Sequence, residues 1–291
     1  MQSNVAVLTM VRDDAFFLRK WTEYYGALFG RENLYVVNHG RENLVRELAW
    51  GCNVIGIPGD AHKNFDAKRW RLLNGIMAGL RSYYTHVICG DVDEIVVMDP
   101  RVGCDLAEFM RADAGGGVLT PFGIEVVHLR NLESQPVEND ILGPRRHVRQ
   151  ATHYAKPCIV GTNTKLSRGG HFSHFDKLEV PQDMYLLHLK FCDYDLFRSA
   201  MDRRNEMVRE IGLSNPKDVM VGAHWFSQSR ADEDIFAAFS KMPVSDAFDF
   251  SQTKAAMQKS WQPRGTDGMW HFQPQASDQL FRLPERFFGV I

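Results

Sequence analysis

Several absences narrow the class of protein before any motif is considered. No apolar run approaches the roughly 20 residues that a membrane-spanning helix needs. The first residues, MQSNVAVLTMVRDD, lack the charged start of a secretory signal. The five cysteines are widely spaced and form no CxxC pair, which is typical of reduced thiols. We therefore expect a cytoplasmic protein without a transmembrane segment.

The sequence also lacks an excess of charge of either sign. Its net charge of −2 predicts no general attraction to nucleic acid, so nucleic acid is not an expected partner. Internal repeats, low-complexity tracts and a clear linker are absent as well. The 44% apolar and 24% charged residues are ordinary for a globular protein. We expect residues 1–291 to form a single domain.

Strand-like and helix-like segments alternate over the first hundred residues. Apolar runs of strand length are VAVLTM, NLYVVNHG, CNVIGIPG and HVICGD, and segments with helical spacing lie between them. This alternation predicts an α/β fold with a mainly parallel sheet and helices on both faces. After Pro100 the pattern is looser, with KPCIVG and MYLLHLKF as further strands and a polar stretch over 131–152.

Each of the four predicted N-terminal strands ends in polar residues. Ligands of such sheets bind beyond the carboxyl ends of the strands, so these ends predict a site drawn from four separate segments. The polar ends are Arg12-Asp13-Asp14, Asn38-His39, Gly59-Asp60 and Asp91-Val92-Asp93-Glu94.

The stretch HVICGDVDEIVVM places three carboxylates between two apolar runs. Burying them is costly unless a positive charge meets them. Asp91 and Asp93 stand two positions apart at a strand end, where a turn would direct both into one cleft. Oxygen ligands suit Mg²⁺ or Mn²⁺. A divalent metal is therefore one interpretation, and a lysine or arginine partner and a solvated loop are the two others.

The order of several motifs resembles that of GT-A glycosyltransferases, particularly bacterial family 2-like enzymes and the related family 92 proteins. The similarity covers roughly residues 4–200. It rests on VRDDAFFLRKWTEYY, DVDEIVV, PFG, KPCIV, GGH and LLHLKF, in that order. The resemblance implies a GT-A, Rossmann-like fold. Its nucleotide-sugar-binding half would span about 1–100, its acceptor and metal-completing half about 101–230, and a C-terminal extension 231–291.

The same resemblance implies a metal-dependent transfer of a sugar from a nucleotide-sugar donor to a glycan or other saccharide acceptor. A UDP-sugar is the favoured donor, and we expect inversion. Asp93 would bind Mn²⁺ or Mg²⁺ directly, and Asp91 would face the ribose or a metal-bound water. Asp13, Asn38 and the backbone from Thr9 to Arg12 would hold the base and ribose.

For the other candidate site residues the sequence leaves alternative roles open. His171 and His188 are equal candidates for the third metal ligand, and a zinc site that adds His174 is a weaker hypothesis. Lys156, Lys165, Arg168 and Lys190 are candidates to help neutralise the departing diphosphate. The arginines of GPRRHVRQ contact an anion or lie in a solvated loop near Glu138 and Asp140. Arg69 is expected on a helix surface.

An inverting transfer needs a carboxylate that removes the proton of the acceptor hydroxyl. Glu125, in PFGIEVV, and Asp176, in HFSHFD, both follow the metal motif, and Glu138 is a third candidate. Glu125 is slightly favoured.

Three other functions compete with sugar transfer. A haloacid-dehalogenase-like phosphatase also uses Asp-x-Asp, but after its first strand rather than its fourth. A nucleotidyltransferase would need a glycine-rich, basic loop after the first strand, where this chain has TMVRDDAFF. The third alternative is a non-catalytic carbohydrate-binding relative.

Overall fold

The computed structural model describes residues 4–59, 65–210, 229–275 and 277–291. The α-helices in these ranges are Ala15–Phe29 (α1), Asn43–Leu48 (α2), Phe65–Leu80 (α3), Leu106–Ala112 (α4), Tyr194–Glu210 (α5), Ser229–Phe239 (α6) and Ser251–Lys259 (α7). The first seven strands are Val5–Val11 (β1), Leu34–His39 (β2), Asn53–Ile57 (β3), His86–Cys89 (β4), Glu94–Met98 (β5), Val118–Leu119 (β6) and Phe122–Val127 (β7). The other seven are His147–Gln150 (β8), Ile159–Val160 (β9), Met184–Phe191 (β10), Val244–Ser245 (β11), Gln262–Arg264 (β12), Met269–His271 (β13) and Leu280–Arg282 (β14).

The strands form two six-stranded sheets and a hairpin. The first sheet has the order β3-β2-β1-β4-β9-β6, and its first four strands run parallel. The second sheet is mixed, in the order β11-β14-β8-β7-β10-β5, while β12 and β13 pair with each other. The α/β class with a mainly parallel first sheet is confirmed.

Helices cover both faces of the first sheet because side chains alternate along β1. Val7 and Val11 pack in one core cluster with Trp21 of α1. Leu8, on the opposite face, packs in a second cluster with Trp70 of α3. Helices on both faces were predicted, and they are confirmed. Among the described residues, no helix has both the length and the apolar character needed to cross a bilayer.

The boundary near residue 100 does not separate the two sheets. β5 precedes it but belongs to the second sheet, whereas β6 and β9 follow it and belong to the first. One core cluster includes Val7, Ile124 and Phe287, which lie in the three predicted parts of the chain. The single-domain interpretation itself stays a prediction.

The second half differs from the sequence-based expectation at two strands. The polar stretch 131–152 contains β8, whose Val148 is buried while Arg149 pairs with a carboxylate, so an apolar pattern is missing. KPCIVG yields only the two residues of β9. MYLLHLKF is confirmed over its full length as β10.

Candidate active site

The acidic stretch is the point at which the chain crosses from the first sheet to the second. β4 ends at Cys89 in the first sheet, and β5 begins at Glu94 in the second. Between them the amide of Glu94 donates to the Asp91 carbonyl (3.1 Å), which closes a turn. The amide of Gly90 donates to the Leu8 carbonyl of β1 at 3.3 Å. The carboxylates therefore lie at the carboxyl end of the central parallel strands, between the two sheets.

A lysine is the counter-charge of Glu94. Both side chains are buried, and Lys156 Nζ lies 2.5 Å from Glu94 Oε1. Burial alone would raise the pKa of Glu94, but the charges of Lys156 and His188 outweigh it and lower this pKa below its ordinary value. Lys156 Nζ also lies 3.9 Å from Asp91 Oδ2. Glu94 is thus held as a buried anion.

An arginine is the principal counter-charge of Asp91. Arg69, near the start of α3, donates from its guanidinium to Asp91 Oδ1. Its expected place on a helix surface is wrong, because Arg69 is buried, with 8% exposure. The sequence signal for this residue was its position just after the carboxyl end of β3. The Asp91 side chain keeps 27% of its surface exposed.

Asp93 faces a histidine instead of a permanent cation. Its Oδ2 lies 3.7 Å from His188 Nε2, which is longer than a hydrogen bond of about 3 Å. The other ring nitrogen of His188, Nδ1, lies 3.2 Å from Glu125 Oε1. In the described part of the chain, His188 is the one side chain that forms an ion pair with Asp93.

Strand register aligns four ionisable side chains across the second sheet. Arg149 of β8 is paired with Glu125 of β7, Glu125 with His188 of β10, and His188 with Glu94 of β5. Residues paired in this way project from the same face of a sheet. We call this set, Arg149, Glu125, His188 and Glu94, the ionic row. It brings residues from four separate strands to the acidic turn.

Glu125 is bound through both of its carboxylate oxygens. Arg149 donates to Oε2, with its Nε at 3.1 Å, while His188 contacts Oε1. Burial raises the pKa of Glu125, but His188 and Arg149 outweigh it and lower this pKa to about 2. A carboxylate that is 2% exposed and held charged is a weak proton acceptor. These contacts favour a positioning role over that of the base.

The two candidate histidine ligands both have ring contacts with Tyr154. Its ring stacks on His188, with centroids 3.6 Å apart and planes 21° apart, and lies 6.1 Å from His171. His171 Nδ1 lies 2.7 Å from the His153 carbonyl, which accepts its proton. Burial and the charge of Lys156 lower the pKa of His171 to about 4. His171 therefore presents a neutral ring with its Nε2 lone pair available. Tyr154 carried no motif and was missed from sequence.

The glycines before His171 serve packing. Gly169 has φ of 68°, a conformation that favours glycine. A Cβ on Gly170 would lie 2.7 Å from the Trp70 ring. Gly170 therefore lets this turn approach α3 closely.

The residues assigned to the nucleotide tie together the loops that follow β1, β2 and β3. Arg12 donates to the Gly59 carbonyl at 2.5 Å, and the Asp13 amide donates to Glu42 Oε2 at 3.1 Å. The Asn38 side chain bonds to the backbone carbonyl and amide of Glu42, at 2.8 and 3.0 Å. Asp13 has φ of 52°, which is unusual for a residue other than glycine. These residues shape the carboxyl edge of the sheet, and their contact with a nucleotide stays a prediction.

Four further predicted positions have separate outcomes. Thr9 is fully buried in β1, and its Oγ1 has no hydrogen-bond partner among the described residues. Lys190 lies over two phenylalanine rings of β10 and α5, at 5.2 and 5.6 Å. Asp176 is exposed, and its carbonyl accepts from Trp261 Nε1 at 2.8 Å. Asp60 lies outside the described residues.

The arginine-rich segment is mostly used inside the protein. Arg145 is 1% exposed and pairs with Asp193 at 2.6 Å, not with Glu138 or Asp140. Arg149 pairs with Glu125 in the ionic row. The hypothesis of a solvated loop is wrong for these two arginines.

Asp93 and His188 could supply two ligands to a divalent cation whose other ligands come from phosphate and water. Within the described ranges, no three His, Cys, Asp or Glu side chains are grouped to hold a metal. His174 Nε2 lies near the Asp267 carbonyl instead (3.2 Å), so a zinc triad is not formed. Asp93 Oδ2 and His188 Nε2 are 3.7 Å apart, close to the roughly 3 Å between neighbouring ligands of one cation. One or two protein ligands completed by phosphate and water suit Mg²⁺ or Mn²⁺.

Comparisons with known proteins give no family. No protein-family model matches the chain, and no curated protein is similar to it. The similar solved structures include a mannose-1-phosphate geranyltransferase from Thermus thermophilus. The two sequences are 14% identical, and the aligned region covers 75% of this chain and 67% of the transferase chain. The TM-score is 0.30. A similarity at that TM-score carries no argument about this chain.

Proposed function

We propose that the protein is a metal-dependent GT-A glycosyltransferase. It would move a sugar from a nucleotide-sugar donor, with UDP as the favoured nucleotide, to a hydroxyl of a glycan or other saccharide, with inversion. One observation carries the proposal. Of the three carboxylates in the acidic turn, Asp93 alone faces a gap toward a histidine, while Lys156 and Arg69 neutralise the other two.

The side chains around this gap have distinct roles in the proposal. Asp93 and His188 hold Mn²⁺ or Mg²⁺, which when bound supplies positive charge to the departing diphosphate. Asp91, oriented by Arg69, presents its exposed edge to the ribose or to a metal-bound water. Lys156 neutralises Glu94 and Arg69 neutralises Asp91, so the negative charge that remains at the turn toward a cation is that of Asp93.

The proton acceptor is assigned by exposure. Glu125 is enclosed by Arg149 and His188, whereas Asp176 is exposed and lies in the loop that contains His171. An acceptor hydroxyl needs a carboxylate that it can reach. Asp176 is therefore a better base than Glu125, which acts through His188, and Glu138, the third candidate, is exposed as well.

The phosphatase alternative requires a free nucleophile at Asp91. Arg69 and Lys156 both neutralise that carboxylate, which lowers its nucleophilicity. The geometry therefore favours the metal-binding hypothesis.

The test is calorimetric titration with UDP, GDP and CDP, each in Mn²⁺ and in a chelator. We expect one nucleotide, UDP, to bind only with metal, and Asp93→Asn to abolish this binding because it removes the metal's carboxylate. Asp202→Asn, which alters an exposed carboxylate of α5, is the matched control and should bind like wild type. Binding that survives the chelator would remove the role of Asp93, and no binding to any nucleotide would overturn the proposal.

A further inference from the structure

Two ring contacts and the strand pairing of its backbone fix the position of His188. Its Nδ1 lies 3.2 Å from Glu125 Oε1, and Tyr154 stacks on its face at 3.6 Å. Its backbone is fixed between β7 and β5 by strand pairing. Only Nε2 is left for the acidic turn, and it faces Asp93.

We infer that Glu125 and Arg149 form a positioning pair that prepares His188 to bind the cation. The inference rests on the proposed function and adds two residues that do not touch the metal. A carboxylate at Nδ1 accepts the proton of that nitrogen and so leaves a lone pair on Nε2. The Nε2 lone pair and the Asp93 oxygen then face each other across 3.7 Å, an arrangement that a cation stabilises.

The two oxygens of Glu125 have separate partners. Oε2 accepts from Nε and a terminal nitrogen of Arg149, and Oε1 is left for His188. Arg149 compensates the cost of burying a carboxylate that is 2% exposed. The guanidinium lies 5.2 Å from the centroid of the Phe239 ring, at the end of α6, which fixes its position further.

The same sheet contains a matched histidine–glutamate pair away from the acidic turn. His147 Nδ1 lies 2.8 Å from Glu133 Oε1, and both side chains are buried. Glu133 also accepts from the backbone amides of Leu129 and Arg146, at 2.9 and 2.7 Å, so its role is to hold the loop before β8. Glu133→Gln therefore controls for the structural cost of losing a buried carboxylate.

The experiment measures Mn²⁺ affinity by electron paramagnetic resonance, with and without UDP. We expect Glu125→Gln to weaken Mn²⁺ binding about 10- to 100-fold, since its amide can donate to Nδ1 and stabilise the wrong tautomer. Arg149→Met should weaken it in the same direction, and Arg149→Lys should restore part of the affinity. Glu133→Gln should leave it unchanged. Long-range ¹H–¹⁵N spectra of the neutral His188 ring should show the Nδ1–H tautomer in wild type and its loss in Glu125→Gln.

The outcomes separate the two proposals. Wild-type Mn²⁺ affinity in Glu125→Gln, with binding lost in Asp93→Asn, would overturn the positioning pair and leave the transferase proposal intact. Failure of wild type to bind Mn²⁺ with any nucleotide would overturn both. If Glu125→Gln does not fold, Arg149→Met decides, because Arg149 lies at the partly exposed end of the ionic row, with 25% of its side chain exposed. Unchanged affinity in a folded Arg149→Met would contradict the inference.

Discussion

The three acidic residues of the turn have three different partners, and this difference decides what each can do. Glu94 is neutralised by Lys156 and Asp91 by Arg69, whereas among the described side chains Asp93 faces only a histidine. Glu94, a buried carboxylate paired with a lysine, is a structural charge, whereas Asp91 keeps an exposed edge. A carboxylate that faces a histidine across a gap is available to a ligand.

Replacing Lys156 with methionine should destabilise the protein. The change leaves Glu94 buried without its main partner, and breaking such a pair costs about 3–5 kcal/mol. Urea unfolding followed by circular dichroism measures this free energy. Lys177→Met, which alters an exposed lysine, is the control and should stay within about 0.5 kcal/mol of wild type. A loss below about 1 kcal/mol for Lys156→Met would show that Glu94 takes up a proton or another partner.

Several residues of the candidate site were predicted from sequence, but which cation pairs with which carboxylate was not. Asp91, Asp93, Lys156 and His188 were all predicted from motif order and strand ends. Which cation meets which carboxylate depends on the turn of the backbone at 90–93, and no spacing rule records that. Arg69 was misplaced because its helical surroundings resemble those of a surface residue.

The free edge of strand β5 forms hydrogen bonds with side chains of α1, the helix that packs on the first sheet. Among the strands that the structure describes, β5 pairs with β10 alone, so its other edge has backbone groups to satisfy. The amide of Val96 donates to the Tyr25 hydroxyl at 2.8 Å, and the Tyr24 hydroxyl donates to the Val96 carbonyl at 2.9 Å. Two adjacent tyrosines of α1 thus take the place of a neighbouring strand.

Removing the Tyr25 hydroxyl should be costly for its size. Tyr25→Phe leaves the buried Val96 amide without an acceptor, which costs about 1–3 kcal/mol. Tyr24→Phe should cost less, because an unpaired carbonyl is better tolerated than an unpaired amide. Tyr83→Phe, at a tyrosine that is 91% exposed, is the control. Guanidinium unfolding of the three variants gives the ranking, and equal stabilities would contradict it.

Secondary structure was predictable where apolar periodicity is strong and not where polar pairs replace it. β1, β2 and β10 were predicted because apolar residues predominate in their runs. β8 was missed since two of its four residues, His147 and Arg149, are balanced by glutamates. The crossing of the chain between sheets at 90–93 was missed because β5 pairs with β10, a strand that lies far along the sequence.

The C-terminal segment is locked to the second sheet by one buried aspartate. Asp99, fully buried at the end of β5, accepts from Arg286 Nε and a terminal nitrogen, at 2.6 and 2.9 Å. It also accepts from the Arg101 amide at 3.0 Å. The carbonyl of Ile291 accepts from the amides of Ile141 and Leu142, at 2.7 and 3.2 Å. The end of the described chain is therefore part of the core structure.

Acid should weaken this lock. Burial raises the pKa of Asp99, but hydrogen bonds and charge from Arg286 and Arg101 outweigh it, so the folded pKa is below the ordinary value. Its stabilisation is therefore present above about pH 4 and is lost as pH falls through the folded pKa. Unfolding free energies of wild type and Asp99→Asn between pH 6 and pH 2.5 should differ most at pH 6 and converge in acid. A constant difference over this range would contradict the assignment.

Because the chain crosses to the second sheet at 90–93, the candidate site cannot assemble during synthesis until later strands have been made. Glu94 and its partner Lys156 are 62 residues apart in the sequence, and Glu125 and His188 are 63 residues apart. Contacts between such distant residues form late, because a long loop must close first. Until β10 has left the ribosome, the acidic turn lacks His188 and the strand that pairs with β5. A ribosome-bound chain that ends before β10 would hence have strands of the first sheet and would lack the proposed cation site.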